Sequence, residues 1–524
     1  MPSVLNAPTI AHLFARAALA YGDRPAIEDA GSLSYRQLDR LRRQAARALL
    51  ALGVKTGDRV AIWAPNTWEW IVAAGALHSV GAALVPLNTR MKGHEAGYIL
   101  RQSGACVLFS IGEFLGVDYP QMLAAENLPE LRQVIRLRSP SSAALDWPGF
   151  MALASRVPAS ALRRRQQQLG PQTLSDVLFT SGTTGQPKGV MTCHGQNLRG
   201  VRDWSEVVGL VEGDRYLIVN PFFHSFGYKA GWLAALMRGA TIIPQQVFDV
   251  DAVLECVQRQ RISVLPGPPT LYQSLLAHPR RAAYDLSSLR VAVTGAAVIP
   301  VEMIWRLRDE LGFATIVTAY GLTEVCGFAT LCRPGDDPQR VAQTSGRAMP
   351  GVEVRIVAAD GRPQPPNVPG EIQIRGYNLM QGYLNDPHAS QAVLDTDGWL
   401  RTGDIGVLDE QGYLRITDRL KDMFITGGFN VYPAEIEQCL LQFPGVAQAA
   451  VIGVPDARLG EVAMAFLLPA PGQALEPDAL LGWCREQMAN YKVPRRLQVV
   501  EAMPLNAAGK VTKQVLRQWA EQPG

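Results

Sequence analysis

Apolar residues in RQLDRLRRQAARALLALG, residues 36–53, recur three or four apart, which predicts an amphipathic helix. Ser34 with Gln37 forms a capping box ahead of it, and Gly53 marks its end. A strand RVAIWA (59–64), a helix WEWIVAAGALHSVG (68–81), a strand AALVPLN (82–88), another helix and a strand ACVLFS (105–110) follow. The same rhythm gives strands DRYLIVNP (214–221), ATIIPQ (240–245), RISVLPG (261–267) and LRVAVTG (289–295), separated by helical stretches. Short apolar strands alternating with helices imply mainly parallel sheets covered on both faces. Ligands of such sheets lie beyond the carboxyl ends of the strands. The loops leaving those ends are TGAAV after Val293 and AYGLTE after Val317.

From about Gly346 the period shortens to hairpins, with turns expected at Asp360-Gly361 and Pro369-Gly370. After GYLRITDRLKD (412–422) it changes again, to helix 433–443, strand 447–455, strand 462–470, helix 477–488 and a last helix beyond Lys510. The chain is therefore expected to be α/β. A large N-terminal domain, residues 1–420, has mainly parallel sheets flanked by helices plus a β-rich subdomain. A small mobile C-terminal α+β domain, residues 421–524, completes it.

A length of 524 residues favours two or more domains. Hydrophobic content of 48% against 19% charged describes a well-buried globular protein, and a net charge of +3 gives no electrostatic case for nucleic acid. The run Arg163-Arg164-Arg165 reads as a solvated helix end or linker. Seven scattered cysteines, odd in number and never spaced C-x-x-C, suggest reduced thiols in a cytoplasmic protein and argue against a zinc site or disulfide framework. No secretory signal is evident at the start. Residues 71–89 lack charge, but Gly75, His78, Gly81 and Pro86 fit a buried helix, turn and strand better than a membrane span.

The stretch TSGTTGQPKG, residues 180–189, resembles a phosphate loop without the Walker spacing. Glycines let backbone N–H groups approach a polyanion, hydroxyls donate further bonds, and Lys188 adds charge. A polar glycine loop joining two elements is the alternative on composition alone.

Further along stand NPFFHSFGYKAG, VTGAAV, AYGLTE, GWLRTGDIG, YLRITDRLKDMFITGGFNVYPAEIE and PLNAAGKVTK. In this order, over nearly the whole chain, they resemble the adenylate-forming superfamily of acyl-CoA synthetases, peptide-synthetase adenylation domains and luciferases. The resemblance implies attack of a carboxylate on the α-phosphorus of ATP, loss of pyrophosphate, and displacement of AMP from the acyl-adenylate by a thiol. Two anions meet in the first step, so the site must supply positive charge and placement.

The resemblance gives Thr180, Ser181, Gly182, Thr183, Thr184, Gly185 and Lys188 to the β,γ-phosphates. It gives Tyr320, Gly295 and Ala296 to adenine, Thr323 to the α-phosphate, Glu324 to Mg²⁺, and Asp404 with Arg419 to the ribose or phosphate. Lys510 is the lysine of adenylation, although Leu505 and Asn506 replace the usual Arg-Thr pair before it, and Lys513 reads as a solvated helix charge. Lys421 matches the hinge about which the small domain rotates, and Gly427 and Gly428 line the pantetheine tunnel for CoA. ATP, CoA and a carboxylic acid are the implied substrates, and a homodimer is compatible with the family.

His224 stands where amino-acid-activating members carry an aspartate, so amino-acid activation is disfavoured. A place near the acyl carboxylate or a buried structural histidine are its two readings. Within the superfamily, NPFFHSFGYKAG, VLPGPPTLYQSLL and DRLKDMFITGGFNVYPAEIE look most like the group that activates the propanoate side chain of a bicyclic indanedione from steroid catabolism. Tyr228, Val298, Val325 and Phe328 then border the acyl pocket, and Lys229 either meets a ring ketone or lies on the surface. A medium- or long-chain fatty acid ligase, a ligase loading a carrier protein or stopping at acyl-AMP, and a non-catalytic adenylate sensor are the competing functions. Intact Glu324 and Lys510 argue against the sensor.

Overall fold

The structure is a computed structural model. It describes residues 3–138, 145–180, 187–295, 299–419, 422–426, 429–431, 433–456, 459–488, 490–506 and 511–521. The capping box forms as the sequence predicts: Gln37 N donates to Ser34 Oγ (3.2 Å) and Ser34 N donates to Gln37 Oε1 (2.8 Å). The helix Tyr35–Ala51 follows, and Gly53 takes a left-handed φ of 75° just beyond it. Helix Trp68–Ser79 is buried on all sides from Glu69 to Ser79, which explains the uncharged run that begins at Ile71 without a bilayer. Among the described residues no helix is long and apolar enough to cross a membrane.

Two large sheets build the N-terminal part. One orders its strands Gly382–Tyr383, Lys188–Cys193, Leu174–Thr180, Ala83–Pro86, Arg59–Trp63, Ala105–Ser110, Gln133–Arg136 and Leu145–Asp146. Pairing is parallel from Leu174–Thr180 outward to Leu145–Asp146, but antiparallel at the Lys188–Cys193 edge. Only a short connection separates Thr180 from Lys188, too short for a parallel crossover, so that end of the sheet must reverse direction.

The second sheet contains the parallel pairs Arg215–Ile218 with Thr241–Pro244 and Val291–Gly295 with Thr315–Tyr320. Residues 261–267, expected as a strand, contribute only bridges from Val264 to Tyr216 and Val291. Leu265 N and Gly267 N still donate to Val291 O and Val293 O, but Pro266 has no N–H and interrupts the ladder. Those bridges nonetheless join two four-stranded pieces into one sheet.

Strands Val352–Val357, Gly370–Gly376, Leu400–Leu408 and Leu414–Arg419 form the antiparallel β-rich region. Gly361 turns with φ 83°, as expected, whereas Gly370 already lies in a strand opposite Gly406, so Pro369-Gly370 is not the turn. In the C-terminal region the hairpin Val446–Asp456 and Gly460–Pro469 separates two cores, because side chains alternate across a strand. Val451, Ala463, Ala465 and Leu467 pack with helices Pro433–Leu440 and Pro477–Gln487. Ile452, Val454, Met464 and Phe466 pack with Leu516 and Trp519 of helix Lys513–Glu521. Lys513, expected as a solvated charge, is instead only 17% exposed and pairs with Glu437 at 2.9 Å, because its helix folds back onto the domain.

Candidate active site

The hairpin that carries the expected phosphate loop is set by register: Thr180 lies opposite Lys188, and both are half-buried. Ser181, Gly182, Thr183, Thr184 and Gly185 between them lie outside the described residues, as do Ala296, Val298, Lys421, Gly427, Gly428 and Lys510. Below the loop the hairpin is locked by a polar network that the sequence reading missed. Buried Asp176 accepts from Thr192 Oγ1 (2.6 Å), Ser175 Oγ (2.7 Å) and Asn197 Nδ2 (2.5 Å). Lys229 joins it from the π-helix Phe226–Leu233, with Nζ 3.2 Å from Asp176 Oδ1 and 3.3 Å from Thr192 Oγ1. Both members of the ion pair are fully buried, and each is satisfied by the other and by hydrogen bonds. The reading of Lys229 as a surface lysine is therefore corrected: its ammonium is committed to the hairpin.

The carboxyl ends of two parallel strands supply the next residues. Gly295 has φ 151° and lies opposite Ala319; a Cβ there would stand 2.5 Å from the Ala319 carbonyl oxygen. A side chain at 295 would thus strain the strand end where a ligand is expected. Tyr320 donates from its hydroxyl to Asp404 Oδ2 at 2.5 Å, fixing the aromatic ring and the carboxylate together across 84 positions of sequence. In the same ladder region Asp404 pairs by backbone register with Arg419.

The chain then turns sharply. Thr323–Val325 form a single 3₁₀ turn ending on Cys326 in the left-handed conformation (φ 59°). Asn378 holds this turn from behind, donating to Phe328 O (2.5 Å) and Val325 O (3.4 Å). Thr323 and Glu324 are half-buried, whereas Val325, Cys326 and Phe328 are buried. Glu324 accepts from the Tyr383 hydroxyl at 2.9 Å, and the Lys188 ammonium lies over the Tyr383 ring, 5.3 Å from its centroid. Burial first, and the Glu324 carboxylate second, push the Tyr383 hydroxyl well above its ordinary range, so it stays a donor. A half-buried carboxylate beside a hydroxyl is a hard-oxygen donor set and fits a magnesium ion shared with phosphate oxygens.

His224 opens the segment expected to face the acyl group. It is exposed, and its Nδ1 accepts from Phe226 N at 3.3 Å, so the buried structural reading is corrected. Four residues on, Tyr228 is wholly buried and bonds through its hydroxyl to His78 Nε2 at 3.0 Å. Trp70 and Trp232 pack around Tyr228. Burial raises the Tyr228 hydroxyl far above its usual range and pushes the Cys326 thiol up to about 12, so both stay neutral. Tyr383, Asp176 and Asn378 are the site-supporting residues that sequence reasoning passed over. The first lies in a strand of only two residues, Gly382–Tyr383, and no spacing rule connects any of them to the loop they support.

The sequence matches the AMP-binding enzyme family over residues 14–384 and the AMP-binding enzyme C-terminal domain over residues 435–510. Two curated proteins named 3-[(3aS,4S,7aS)-7a-methyl-1,5-dioxo-octahydro-1H-inden-4-yl]propanoyl:CoA ligase are similar. One, from Mycobacterium tuberculosis, is 52% identical across 90% of this chain and 91% of its own. The other, from Rhodococcus jostii, is 47% identical across 96% and 97%. Among solved structures, the anthranilate CoA ligase AuaEII in complex with anthranoyl-AMP superposes with a TM-score of 0.87 at 27% identity, covering 98% of this chain and 97% of that one.

Proposed function

Because the chain belongs to the AMP-binding enzyme family, and is an acid–thiol ligase like its relatives, we propose that it converts the propanoate side chain of a 7a-methyl-1,5-dioxo-octahydroindene to its CoA thioester through an acyl-adenylate. The observation that carries this choice of acid is the 52% and 47% identity, over nine-tenths or more of the chain, to two ligases named for that propanoate.

In the first step a carboxylate oxygen bonds to the α-phosphorus and the bond to pyrophosphate breaks. Thr180, the loop 181–185 and Lys188 hold the departing pyrophosphate. Tyr320 stacks on adenine beside Gly295 and Ala296, with its ring fixed through Asp404, and Asp404 with Arg419 takes the ribose. Thr323 meets the α-phosphate. Glu324 would hold Mg²⁺, which supplies charge neutralisation at the phosphate oxygens when bound. Lys510 bridges the carboxylate and the α-phosphate, and His224, exposed at the head of its segment, stands at the acyl carboxylate.

In the second step the small domain, residues 421–524, turns about Lys421, and Gly427 and Gly428 admit pantetheine. The CoA sulfur bonds to the acyl carbon, AMP leaves, and the thiol proton is released. Tyr228, Val298, Val325 and Phe328 wall the acyl group, while Lys229 secures that wall to the hairpin through Asp176. Seven scattered cysteines without C-x-x-C spacing suit a reducing cytoplasm.

A panel of acids incubated with ATP, Mg²⁺ and free CoA, read by mass spectrometry for thioester and by pyrophosphate release, tests the assignment. The bicyclic propanoate is expected to give the highest kcat/KM. A preference for linear fatty acids would overturn the choice of acid. Acyl-AMP accumulating without acyl-CoA would instead favour a carrier protein as acceptor.

A further inference from the structure

Tyr383 touches two groups of opposite charge at once. Its hydroxyl donates to Glu324 Oε1 (2.9 Å), and its ring face carries the Lys188 ammonium, 5.3 Å from the centroid. The placement is enforced by the backbone. The short strand Gly382–Tyr383 pairs with Lys188–Cys193, with Tyr383 opposite Val190, so Tyr383 and Lys188 are diagonal neighbours on one face of the sheet. Leu384 N donates to Gly189 O (2.7 Å) and Tyr383 N donates to Ser390 Oγ (2.8 Å), which anchors the residue on both sides. The far end of the contact is equally fixed, because Met380 N donates to Glu324 O at 2.8 Å.

We propose that Tyr383 is a positioning residue that keeps the phosphate-holding lysine and the metal-holding carboxylate apart and aims both at one Mg²⁺–ATP. The proposal rests on the roles given above to Lys188 and Glu324. A lysine and a glutamate at the rim of one site gain by pairing with each other, and such a pair would neutralise the charges that ATP and its metal need. The phenol prevents this by satisfying each separately. The ring face attracts the ammonium through its quadrupole, and the hydroxyl hydrogen engages the carboxylate. The two contacts use different parts of one side chain, so substitutions separate them.

Calorimetric titration of the full-length protein with ATP, once in EDTA and once with Mg²⁺, reads each contact directly. Tyr383→Phe keeps the ring and loses the hydroxyl. It is expected to bind ATP in EDTA as the wild type does, while the gain in affinity from Mg²⁺ falls ~3- to 10-fold, the net worth of one intramolecular hydrogen bond. Tyr383→Leu loses both contacts, and ATP binding in EDTA is expected to weaken a further ~2- to 5-fold. A merely structural tyrosine would lower the melting temperature without splitting these two affinities. The role of Tyr383 is overturned if the Phe variant keeps the wild-type gain from Mg²⁺, or if the Leu variant binds ATP in EDTA as tightly as the wild type. A wild-type protein whose ATP affinity is indifferent to Mg²⁺ and to Lys188→Met would overturn the underlying assignment of Lys188 and Glu324 as well.

Discussion

His194 shows how a single residue's environment becomes a stability property. The side chain is fully buried, and its ring lies 5.3 Å from that of His78, which is buried too. Burial is the main cause that lowers the His194 pKa from 6.5 to about 4, and it lowers that of His78 as well. The unfolded chain therefore binds a proton near pH 6.5 that the folded chain refuses until about pH 4. Stability is full above pH 6.5 and falls progressively toward pH 4, with a loss from His194 on the order of 3 kcal/mol. His194→Gln, followed by urea unfolding between pH 7 and 4, is expected to flatten this dependence. An unchanged slope would remove His194 as its source. At this scale the candidates Lys188, Tyr320, Thr323, Glu324 and Asp404 could be named from sequence because the motifs that carry them are local. The environment of Lys229 was not, since a lysine beside a tyrosine says nothing about a buried aspartate 53 positions earlier.

Elements place those residues by pairing and crossing. The hairpin Leu174–Thr180 with Lys188–Cys193 is tied at its root to the π-helix Phe226–Leu233 by the Lys229–Asp176 ion pair. Removing one partner of such a pair leaves a buried charge. Lys229→Met is accordingly expected to destabilise the fold by about 3 kcal/mol, with Asp176's three other donors holding the loss to the low end of the range. The double variant Lys229→Met, Asp176→Asn should recover part of that loss in a chemical unfolding series. Additive losses would mean the two residues are not coupled. Periodicity revealed the helices and most strands, including the capped helix Tyr35–Ala51. It overextended residues 261–267, where the apolar run is right for a strand but Pro266 breaks the ladder. The antiparallel edge of the first sheet was implicit in the short loop between Thr180 and Lys188, although the alternation of elements alone suggested parallel pairing.

At the scale of the whole molecule, the proposed adenylation would have Lys510, from the C-terminal region of the sequence, act on groups held by the N-terminal sheets. Lys510→Ala is expected to slow acyl-AMP formation ~100- to 1000-fold, while thioester formation from supplied acyl-AMP and CoA stays near wild type. Equal losses in both half-reactions would refute this division of labour. The sequence by itself determined the order of motifs, the alternation that gives an α/β fold, and membership of the AMP-binding enzyme family, because each of these rests on short local patterns. Only the tertiary structure decided which distant residues hold those patterns in place. Tyr383 reaches Glu324 across 59 positions, Tyr320 reaches Asp404 across 84, and Lys229 is drawn into the core by Asp176. The physical reason is that charge complementarity and hydrogen bonding act through space, at distances the chain closes only when its sheets assemble.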